Sequence, residues 1–391
     1  MKVTVSTIAR FHAFNLVQKL QQAGHLYRFI SRYPTWAVKG YEDYQINPDL
    51  YRSVLSVGIL DEAWKKVPHW IRRDINPQFW FHQNFDRGAS KHISPDSDVF
   101  VGWSSLCLQS LRKAKSYGNL TVVDRGNSHM QYFMEILQEE YEIWGLKYTA
   151  MHKGVCEMEL QEYEETDKIA VPSLFVKQTF IDRGIPESKL IHVPYGVSLS
   201  EFFPTPKEDK IFRIMHCGSI TLRKGIQYLI QAFHELNLPD AELWLVGSLD
   251  PIMKPILDQY ASNKIIRKGT YPQNQLRHLY SQCSVFCIAS IEDGFGMVIS
   301  QAMACGLPVI HTTNTGGADI VRDGVDGFCV PIRDVEALKE KILFFYENPE
   351  KRDEMGNNAL NQVRKAFTWN DYGNAMIKAY QTALDEEKLT R

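Results

Sequence analysis

Apolar residues follow strand-like and helix-like spacings in turn along the first half of the chain. KVTVST at the start alternates like a strand, and RFHAFNLVQKLQQAGH repeats apolar residues at helical spacing until Gly24, a residue type that often ends helices. Residues 36–95 predict inserted helices and loops. Strand-like runs, separated by helical stretches, resume at 98–103, 120–126, 168–173 and 190–196. Because strands that alternate with helices form parallel sheets covered on both faces, an α/β unit is predicted.

A second α/β unit is predicted after an interruption rich in prolines and charges at 198–211. Six short apolar runs follow it, each with a helix-like stretch behind it: FRIMHCGSI, ELWLVGSL, IIRKGTY, SVFCIAS, PVIHTT and GFCVP. The boundary is expected near residue 205, giving an N-terminal domain over 1–205 and a C-terminal domain over 206–369. The last helix, about 370–391, has no strand of its own and is expected to pack back across the junction.

Composition narrows the class of protein. A chain of 391 residues exceeds the size of a typical single core, which supports two domains. The formal net charge of −2 argues against a general nucleic-acid binder. The seven cysteines are an odd number without a CxxC pair, so reduced, buried thiols and a cytoplasmic location are expected. No apolar run is long enough for a membrane span, and the first residues lack the apolar stretch of a signal peptide.

Three corners between a strand and a helix in the second half carry residues that suit an anion. They are CGSITLRKG (217–225), ASIEDGFGM (289–297) and TTNTGGAD (312–319). Glycine, serine, threonine and asparagine there permit tight turns and close backbone approach. Each corner alone is more typical of an ordinary turn. Together with the basic Arg223 and Lys224 at the start of a helix, they predict a diphosphate site at the carboxyl ends of the strands.

The same stretches carry a family resemblance. EDGFGMVISQAMACGLPVI, GSITLRKGIQYLIQAF, SKLIHVPYGVSLSEFFP and GVDGFCVP, spread over about 168–345, resemble the retaining, nucleotide-sugar-dependent glycosyltransferases of family four. The resemblance implies the GT-B fold, in which two doubly wound, Rossmann-like parallel-sheet domains face a central cleft. It implies transfer of a sugar from a nucleotide diphosphate, with UDP favoured and GDP as the alternative, to an acceptor hydroxyl in polysaccharide or glycoconjugate biosynthesis. No metal or other cofactor is expected.

The resemblance also assigns donor-side roles. The family's two glutamates, separated by seven residues, fall on Asp293 and Gln301, which would hold the donor sugar and the ribose. Glu292 is the alternative if the turn is shifted by one residue. Lys224 falls on the phosphate-binding lysine, and Arg223 either replaces an arginine that relatives carry at the position of Ser219 or faces solvent. Further donor-binding candidates are Gly218, Gly294, Phe295, Gly296, Met297, Thr315, Gly316 and Gly317, with Lys268 in the base-binding segment 267–270.

On the acceptor side the resemblance is weaker. The first loop, STIARFHAF, lacks the family's glycine pair, so Arg10 or His12 is expected either to replace a backbone contact or to face solvent. His129 lies near the position of a histidine that contacts the transferred sugar in relatives, although a structural role is equally open. Asp124 and Arg125 are neighbouring candidates. No carboxylate pair suits double displacement, so front-face attack is expected, with the leaving phosphate accepting the proton.

Two further patterns each allow more than one interpretation. Asp96, Ser97 and Asp98 look like a metal-binding triplet but predict a capped loop, so no metal site is expected. WKKVPHWIRR (64–73) suits peripheral contact with a membrane or a phosphate-bearing, lipid-linked acceptor, or else an ordinary helix with buried tryptophans. The rival functions are a sugar-nucleotide epimerase or phosphorylase of the same fold, and a donor-binding protein without turnover.

Overall fold

The computed structural model describes residues 1–8, 10, 12–34, 36, 45–68 and 76–390, and it contains two parallel sheets. The first has seven strands in the order β3-β2-β1-β4-β5-β6-β7. Its strands are β1 (Val3–Thr7), β2 (Leu26–Ser31), β3 (Tyr51–Ser53), β4 (Val99–Trp103), β5 (Leu120–Asp124), β6 (Lys168–Val171) and β7 (Leu190–His192). Every strand pair in it is parallel.

Helices cover both faces of this sheet. They are α1 (Ala13–Gln22), α2 (Leu55–Lys65), α3 (Gln78–Ser90), α4 (Leu108–Ser116), α5 (Met130–Ile143), α6 (Lys153–Glu165) and α7 (Leu174–Ile181), with short 3₁₀ turns at Pro48–Leu50 and Glu187–Lys189. The central strands β1, β4 and β5 are buried along their whole length, as expected for a sheet covered on both sides.

The second sheet has six parallel strands in the order β10-β9-β8-β11-β12-β13. They are β8 (Phe212–Cys217), β9 (Ala241–Val246), β10 (Ile265–Gly269), β11 (Val285–Ile288), β12 (Val309–Thr312) and β13 (Gly327–Val330). Its helices are α8 (Ile226–Leu236), α9 (Lys254–Gln259), α10 (Gln273–Ser281), α11 (Met297–Ala304), α12 (Gly317–Ile320), α13 (Val335–Glu347) and α14 (Pro349–Ala366), with 3₁₀ turns at Leu222–Lys224 and Pro251–Met253.

The last helix, α15 (Trp369–Thr390), packs on α1 of the first domain. Tyr372, Met376, Tyr380 and Ala383 form its buried stripe. The helices lie so close that a Cβ on Gly373 would be 2.5 Å from Lys19 Cγ. The chain therefore crosses back to the N-terminal domain after Phe367.

The predicted two-sheet α/β fold is confirmed. All six strands predicted in the second half are present, and β7 and β8 lie on either side of residue 205. Strands β2 and β3 were missed in the first half. β3 is the edge strand and β2 lies next to it, and both contain polar and partly exposed residues in place of the continuous apolar run of a central strand. None of the described helices is both long and apolar enough to cross a membrane.

Candidate active site

A cleft of about 610 Å³ lies where the carboxyl ends of the two sheets face each other. His12, Trp103 and Arg125, which follow β1, end β4 and follow β5, line one wall. Gly218, after β8, and Asp293, after β11, line the other. Ligands of parallel sheets bind beyond the carboxyl ends of the strands, so both domains contribute to one site of suitable size.

An ion pair between Lys224 and Asp293 lies in the wall formed by the C-terminal domain. Lys224 ends the 3₁₀ turn after β8, and Asp293 precedes α11. Burial lowers the pKa of Lys224 from its usual value. Burial alone would raise the pKa of Asp293, but the nearby charges of Lys224 and Arg223 outweigh it and lower that pKa. The cleft therefore holds a carboxylate that can accept hydrogen bonds from sugar hydroxyls and an ammonium that can bind phosphate.

Glu292, next to Asp293, has a different environment. Its Oε1 accepts hydrogen bonds from the backbone N of Ser128 (3.0 Å) and from Ser128 Oγ (2.9 Å), and its Oε2 pairs with Arg223 Nη1 at 3.0 Å. Its side chain has no exposed surface. Glu292 therefore joins the two domains, and Arg223 supports it instead of lining the cleft. The alternative in which Glu292 is the donor ligand has no support in this geometry.

In the loop after Asp293, one residue contacts the N-terminal domain and the next ones line the cleft. A Cβ on Gly294 would lie 1.9 Å from the carbonyl O of Gly126, and the Gly294 carbonyl accepts a hydrogen bond from Ser173 Oγ at 2.6 Å. Gly294 thus permits close contact with the N-terminal domain and is not among the cleft-lining residues. Phe295, Gly296, Met297 and Gln301 do line the cleft.

Gly296 is the residue before α11, and Gln301 lies in the middle of this helix. Gly296 precedes the helix in the left-handed conformation, with φ of 75°. That conformation suits glycine and aims the first turn of the helix at the cleft. Gln301 Oε1 accepts a hydrogen bond from Tyr280 Oη at 3.2 Å, which fixes the amide and leaves its NH₂ group to donate.

The third corner, Thr315 to Gly317, does not line the cleft. The backbone N of Gly316 donates to the Phe295 carbonyl (3.0 Å) and that of Gly317 donates to Thr315 Oγ1 (3.1 Å). A Cβ on Gly317 would be 2.2 Å from the His311 ring. The expectation that this corner brackets the anion is therefore not met, because its backbone donors are already used inside the domain.

Asp319, in the short helix α12 behind that corner, contacts the N-terminal domain instead. Its carboxylate accepts hydrogen bonds from the backbone N of Leu174 (3.1 Å) and pairs with His192 Nε2 (2.6 Å). Two separate carboxylates, Glu292 and Asp319, thus tie the domains together.

A second, more open depression of about 690 Å³ lies beyond the ends of β9 and β10. Lys268 and its neighbours from Arg267 to Thr270, the segment assigned to the base, line it. Lys268 Nζ lies 3.7 Å from the centre of the Trp244 ring. Gly218 lines the main cleft, whereas Ser219 lines neither cavity.

On the acceptor side, the structure brings His12 and Arg125 to the cleft but not Arg10. His12 Nε2 lies 3.0 Å from Asp124 Oδ1. Arg125 is buried, pairs with Glu159 at 2.8 Å and donates to the carbonyl of Ser128, so it stabilises the wall. Arg10 is exposed, with its guanidinium 6.0 Å from the centre of the Tyr33 ring.

His129 has a structural role, which is one of the two alternatives that the sequence allows. It is the N-cap of α5, where its Nδ1 accepts a hydrogen bond from the backbone N of Gln131 at 3.3 Å. Its ring packs between Tyr163 and Phe180, and burial lowers its pKa to about 4. His129 is not among the residues that line the cleft, so the structure does not place it where a transferred sugar would be contacted.

Comparison with known proteins points to one family. Residues 199–362, which lie almost wholly in the C-terminal domain, match the model of the family described as glycosyl transferases group 1. The curated relatives that match the chain include proteins named as glycosyltransferases.

The chain also resembles individual proteins. An uncharacterised glycosyltransferase of Methanocaldococcus jannaschii is 26% identical over 66% of this chain and 70% of that protein. The sucrose-phosphate synthase of Thermosynechococcus elongatus has a TM-score of 0.75 at 18% identity, covering 99% of this chain and 100% of that one. Anabaena Alr3699/HepE, solved in complex with UDP, has a TM-score of 0.69 at 15% identity, covering 98% and 100% of the two chains. These structural likenesses establish the GT-B fold.

Among the cleft-lining residues that the sequence did not predict are His216 and Tyr195. His216, in β8, is fully buried, and burial together with the charge of Lys224 lowers its pKa to about 4. Tyr195, after β7, stacks on His12 with the ring centres 4.0 Å apart. His216 is recognisable only by its place at the carboxyl end of a strand, two residues before Gly218. Tyr195 lies in a stretch already used for the family resemblance, VPYGV, without a side-chain role having been assigned to it.

The two other patterns from the sequence lie away from the cleft. Asp98 accepts a hydrogen bond from the backbone N of Lys2 (2.6 Å), and Asp96 from Ser94 Oγ (3.3 Å), at the amino ends of β1 and β4. The triplet therefore belongs to a capped loop. In the segment 64–73, Lys65 pairs with Glu62 at 2.6 Å, whereas residues 69–73 lie outside the described residues.

Proposed function

We propose that this protein is a retaining, metal-independent glycosyltransferase, and that it transfers a sugar from a UDP-sugar to an acceptor hydroxyl in polysaccharide or glycoconjugate biosynthesis. The observation that carries the proposal is the ion pair between Lys224 and Asp293, just before the N-terminus of α11. A cation and a hydrogen-bond acceptor side by side in the cleft suit a diphosphate and its sugar.

The chemistry follows from the charges. When a donor binds, the diphosphate competes with Asp293 for the ammonium of Lys224. The carboxylate of Asp293 can then accept hydrogen bonds from hydroxyl groups of the sugar. As the bond between the sugar and the phosphate breaks, negative charge grows on the diphosphate. Lys224 and the N-terminus of α11 stabilise that charge without a metal ion. Both groups are fixed before the reaction, which is the condition for effective electrostatic stabilisation.

UDP is proposed over GDP as the nucleotide. The support is the structure of Anabaena Alr3699/HepE, which holds UDP in the same fold. In this chain the base would lie against the segment from Arg267 to Thr270, which borders an open depression. Gln301 has a neutral amide where relatives carry a glutamate, and we propose that it binds the ribose through its free NH₂ group.

A thermal-shift titration with UDP and GDP tests nucleotide binding, with AMP as the control. We expect UDP to raise the melting temperature most, because a ligand that binds only the folded state stabilises it. GDP as the stronger ligand would reverse the base assignment. No shift with either nucleotide would overturn the proposed function.

Turnover is tested by release of UDP from UDP-glucose, UDP-galactose and UDP-N-acetylglucosamine, with and without a chelator. A rate that is unchanged by the chelator supports metal independence. Proton NMR of the first sugar product then shows whether the α-configuration is kept. Binding without any turnover would favour a donor-binding protein, and a change at a sugar carbon other than C1 would favour an epimerase.

The acceptor is proposed to be a saccharide, free or lipid-linked, and to enter from the wall that contains His12 and Trp103. Peripheral contact with a cytoplasmic membrane face remains a prediction from the segment 64–73. Co-sedimentation with vesicles of anionic phospholipid, compared with neutral ones, checks that prediction.

A further inference from the structure

We propose that a side pocket of the N-terminal domain binds a second, uncharged sugar unit of the acceptor, so that the acceptor is a disaccharide or a longer glycan. This inference rests on the proposed function and narrows its class of acceptor. The side pocket has a volume of about 270 Å³ and lies between Arg32, which follows β2, Asp61 of α2 and Phe81 of α3.

The side pocket opens from the cleft. Ile8, Gln78 and His82 line both cavities. Ile8 follows the carboxyl end of β1, and Gln78 and His82 lie four residues apart in the first turns of α3, so they are neighbours on the helix surface. A ligand bound in the cleft can therefore extend past these three residues. Because pockets for whole ligands begin at roughly 300 Å³, the side pocket suits one unit of a longer ligand.

The charges that line the side pocket are balanced. Arg32 Nη1 lies 3.4 Å from Asp61 Oδ2, and Lys65 Nζ lies 3.2 Å from the same oxygen. Burial lowers the pKa of His82 to about 4, so its ring is neutral at neutral pH. Among the lining residues that the structure describes, Arg32 is the only full cation, and it has this acidic partner. A phosphate or carboxylate group would need a cation of its own, so an uncharged ligand is favoured.

The polar groups of the side pocket suit hydroxyl groups. His82 Nδ1 is buried and has no hydrogen-bond partner among the described residues. Such an atom costs free energy, and a ligand hydroxyl beside His82 would offset that cost. Asn76 Oδ1 accepts a hydrogen bond from the backbone N of Gln78 at 3.0 Å, which orients the Asn76 amide at the start of α3. Amide and imidazole groups both donate and accept hydrogen bonds, as sugar hydroxyls do.

The apolar groups of the side pocket suit the C–H face of a sugar ring. Phe81 is half-buried and packs against the core of the N-terminal domain, and Val57 and Ile8 line the same cavity. An apolar surface with a few polar groups is the usual composition of a small-molecule site. A lipid chain would leave those polar groups without partners, so the combination favours a saccharide.

The test measures sugar affinities by ligand-detected NMR titration of the protein saturated with UDP. Glucose, galactose and N-acetylglucosamine are compared with maltose, lactose and chitobiose. We expect at least one disaccharide to bind about tenfold more tightly than its component monosaccharides, because it contacts the cleft and the side pocket together. Equal affinities throughout, or binding of none of these sugars, would overturn the inference. Tighter binding of glucose 6-phosphate than of every disaccharide would indicate an anion site and would also overturn it.

Phe81→Ala locates the second unit. We expect it to weaken binding of the preferred disaccharide by about fivefold or more, as the loss of a partly buried phenyl contact predicts, without weakening binding of the monosaccharide. Phe79→Ala is the matched control, since Phe79 is half-buried in the same helix, stacks on the His152 ring at 5.3 Å and lines neither cavity. An equal loss for the monosaccharide and the disaccharide in Phe81→Ala would contradict the assignment.

Asn76→Ser decides the question if Phe81→Ala does not fold. Serine keeps an oxygen that can cap the start of α3 but removes the amide, so binding of the disaccharide should weaken by about threefold or more. Unchanged disaccharide affinity in this variant would then overturn the inference. A wild type that neither binds UDP nor releases it from a UDP-sugar fails the proposed function, whereas UDP binding without a preference for a disaccharide fails this inference alone.

Discussion

Two corners of the C-terminal sheet look alike in sequence and do different work. SIEDGFGM after β11 presents Asp293, Phe295 and Gly296 to the cleft, whereas TTNTGGAD after β12 presents none of its residues there. In the first corner, the beginning of α11 faces the cavity. In the second, the backbone N–H groups of Gly316 and Gly317 are hydrogen-bonded within the C-terminal domain, and Asp319 contacts the N-terminal domain.

The difference shows what makes a corner a binding site. Glycine and a following helix are present in both, so they do not decide it. The deciding feature is whether the N–H groups and charged side chains remain available to a ligand. The first corner contains both outcomes, because Asp293 faces the cleft while the adjacent Glu292 is bonded to Ser128 and Arg223.

Lys224→Ala should give the largest effect, and it removes the cationic partner of Asp293 in the corner after β11. Without the ammonium, the charge that grows on the diphosphate loses its main partner, so donor turnover should fall by about a hundredfold or more. UDP release from the donor measures it. Lys254→Ala, an exposed lysine at the start of α9, is the control. Near-normal turnover in Lys224→Ala would show that α11 carries the phosphate alone.

Gly294→Ala tests whether the first corner also needs contact with the other domain. The added Cβ would meet the Gly126 carbonyl at 1.9 Å, so the two walls cannot close and turnover should fall about tenfold or more. Small-angle scattering should show a larger radius of gyration. Gly317→Ala is the matched variant, since its Cβ meets His311 within one domain and should lower stability without opening the cleft. Equal radii for both variants would contradict this account.

The pH dependence at the alkaline end gives a smaller effect. Lys224 acts in its charged form, which exists below its pKa, and burial lowers that pKa. Turnover should therefore begin to fall at a lower pH than an exposed lysine would require, by severalfold over about one pH unit. Lys224→Arg keeps its charge throughout and should lack this limb. The measurement is kcat against pH, and a limb that persists in the arginine variant would assign it to another group.

Thr315→Ala should give the smallest effect and tests the corner after β12. Thr315 Oγ1 donates to the Thr312 carbonyl at 2.9 Å and accepts from the backbone N of Gly317 at 3.1 Å. Its loss should lower the free energy of unfolding by about 1 to 2 kcal/mol, as urea denaturation would show. The KM for the donor should not change. A raised KM would return this corner to the donor site.

The site was predictable in part. The spacing of Asp293 and Gln301 predicted two residues that both line the cleft, and Lys224 was expected beside them. The roles of Glu292 and Gly294 were not predictable, because their partners, Ser128 and Gly126, belong to a segment more than 160 residues earlier in the chain. No local pattern reports such a contact.

The sequence by itself determined the two parallel sheets, the crossing helix and the strand ends at which a ligand could bind. These features follow from local spacing, since central strands are apolar throughout and helices repeat at their own period. Only the tertiary structure decided which strand ends meet, which carboxylate faces the cleft and which one joins the domains. The physical reason is that the role of a polar group depends on its partners after folding, and the partners of Glu292, Asp319 and His12 come from distant parts of the chain.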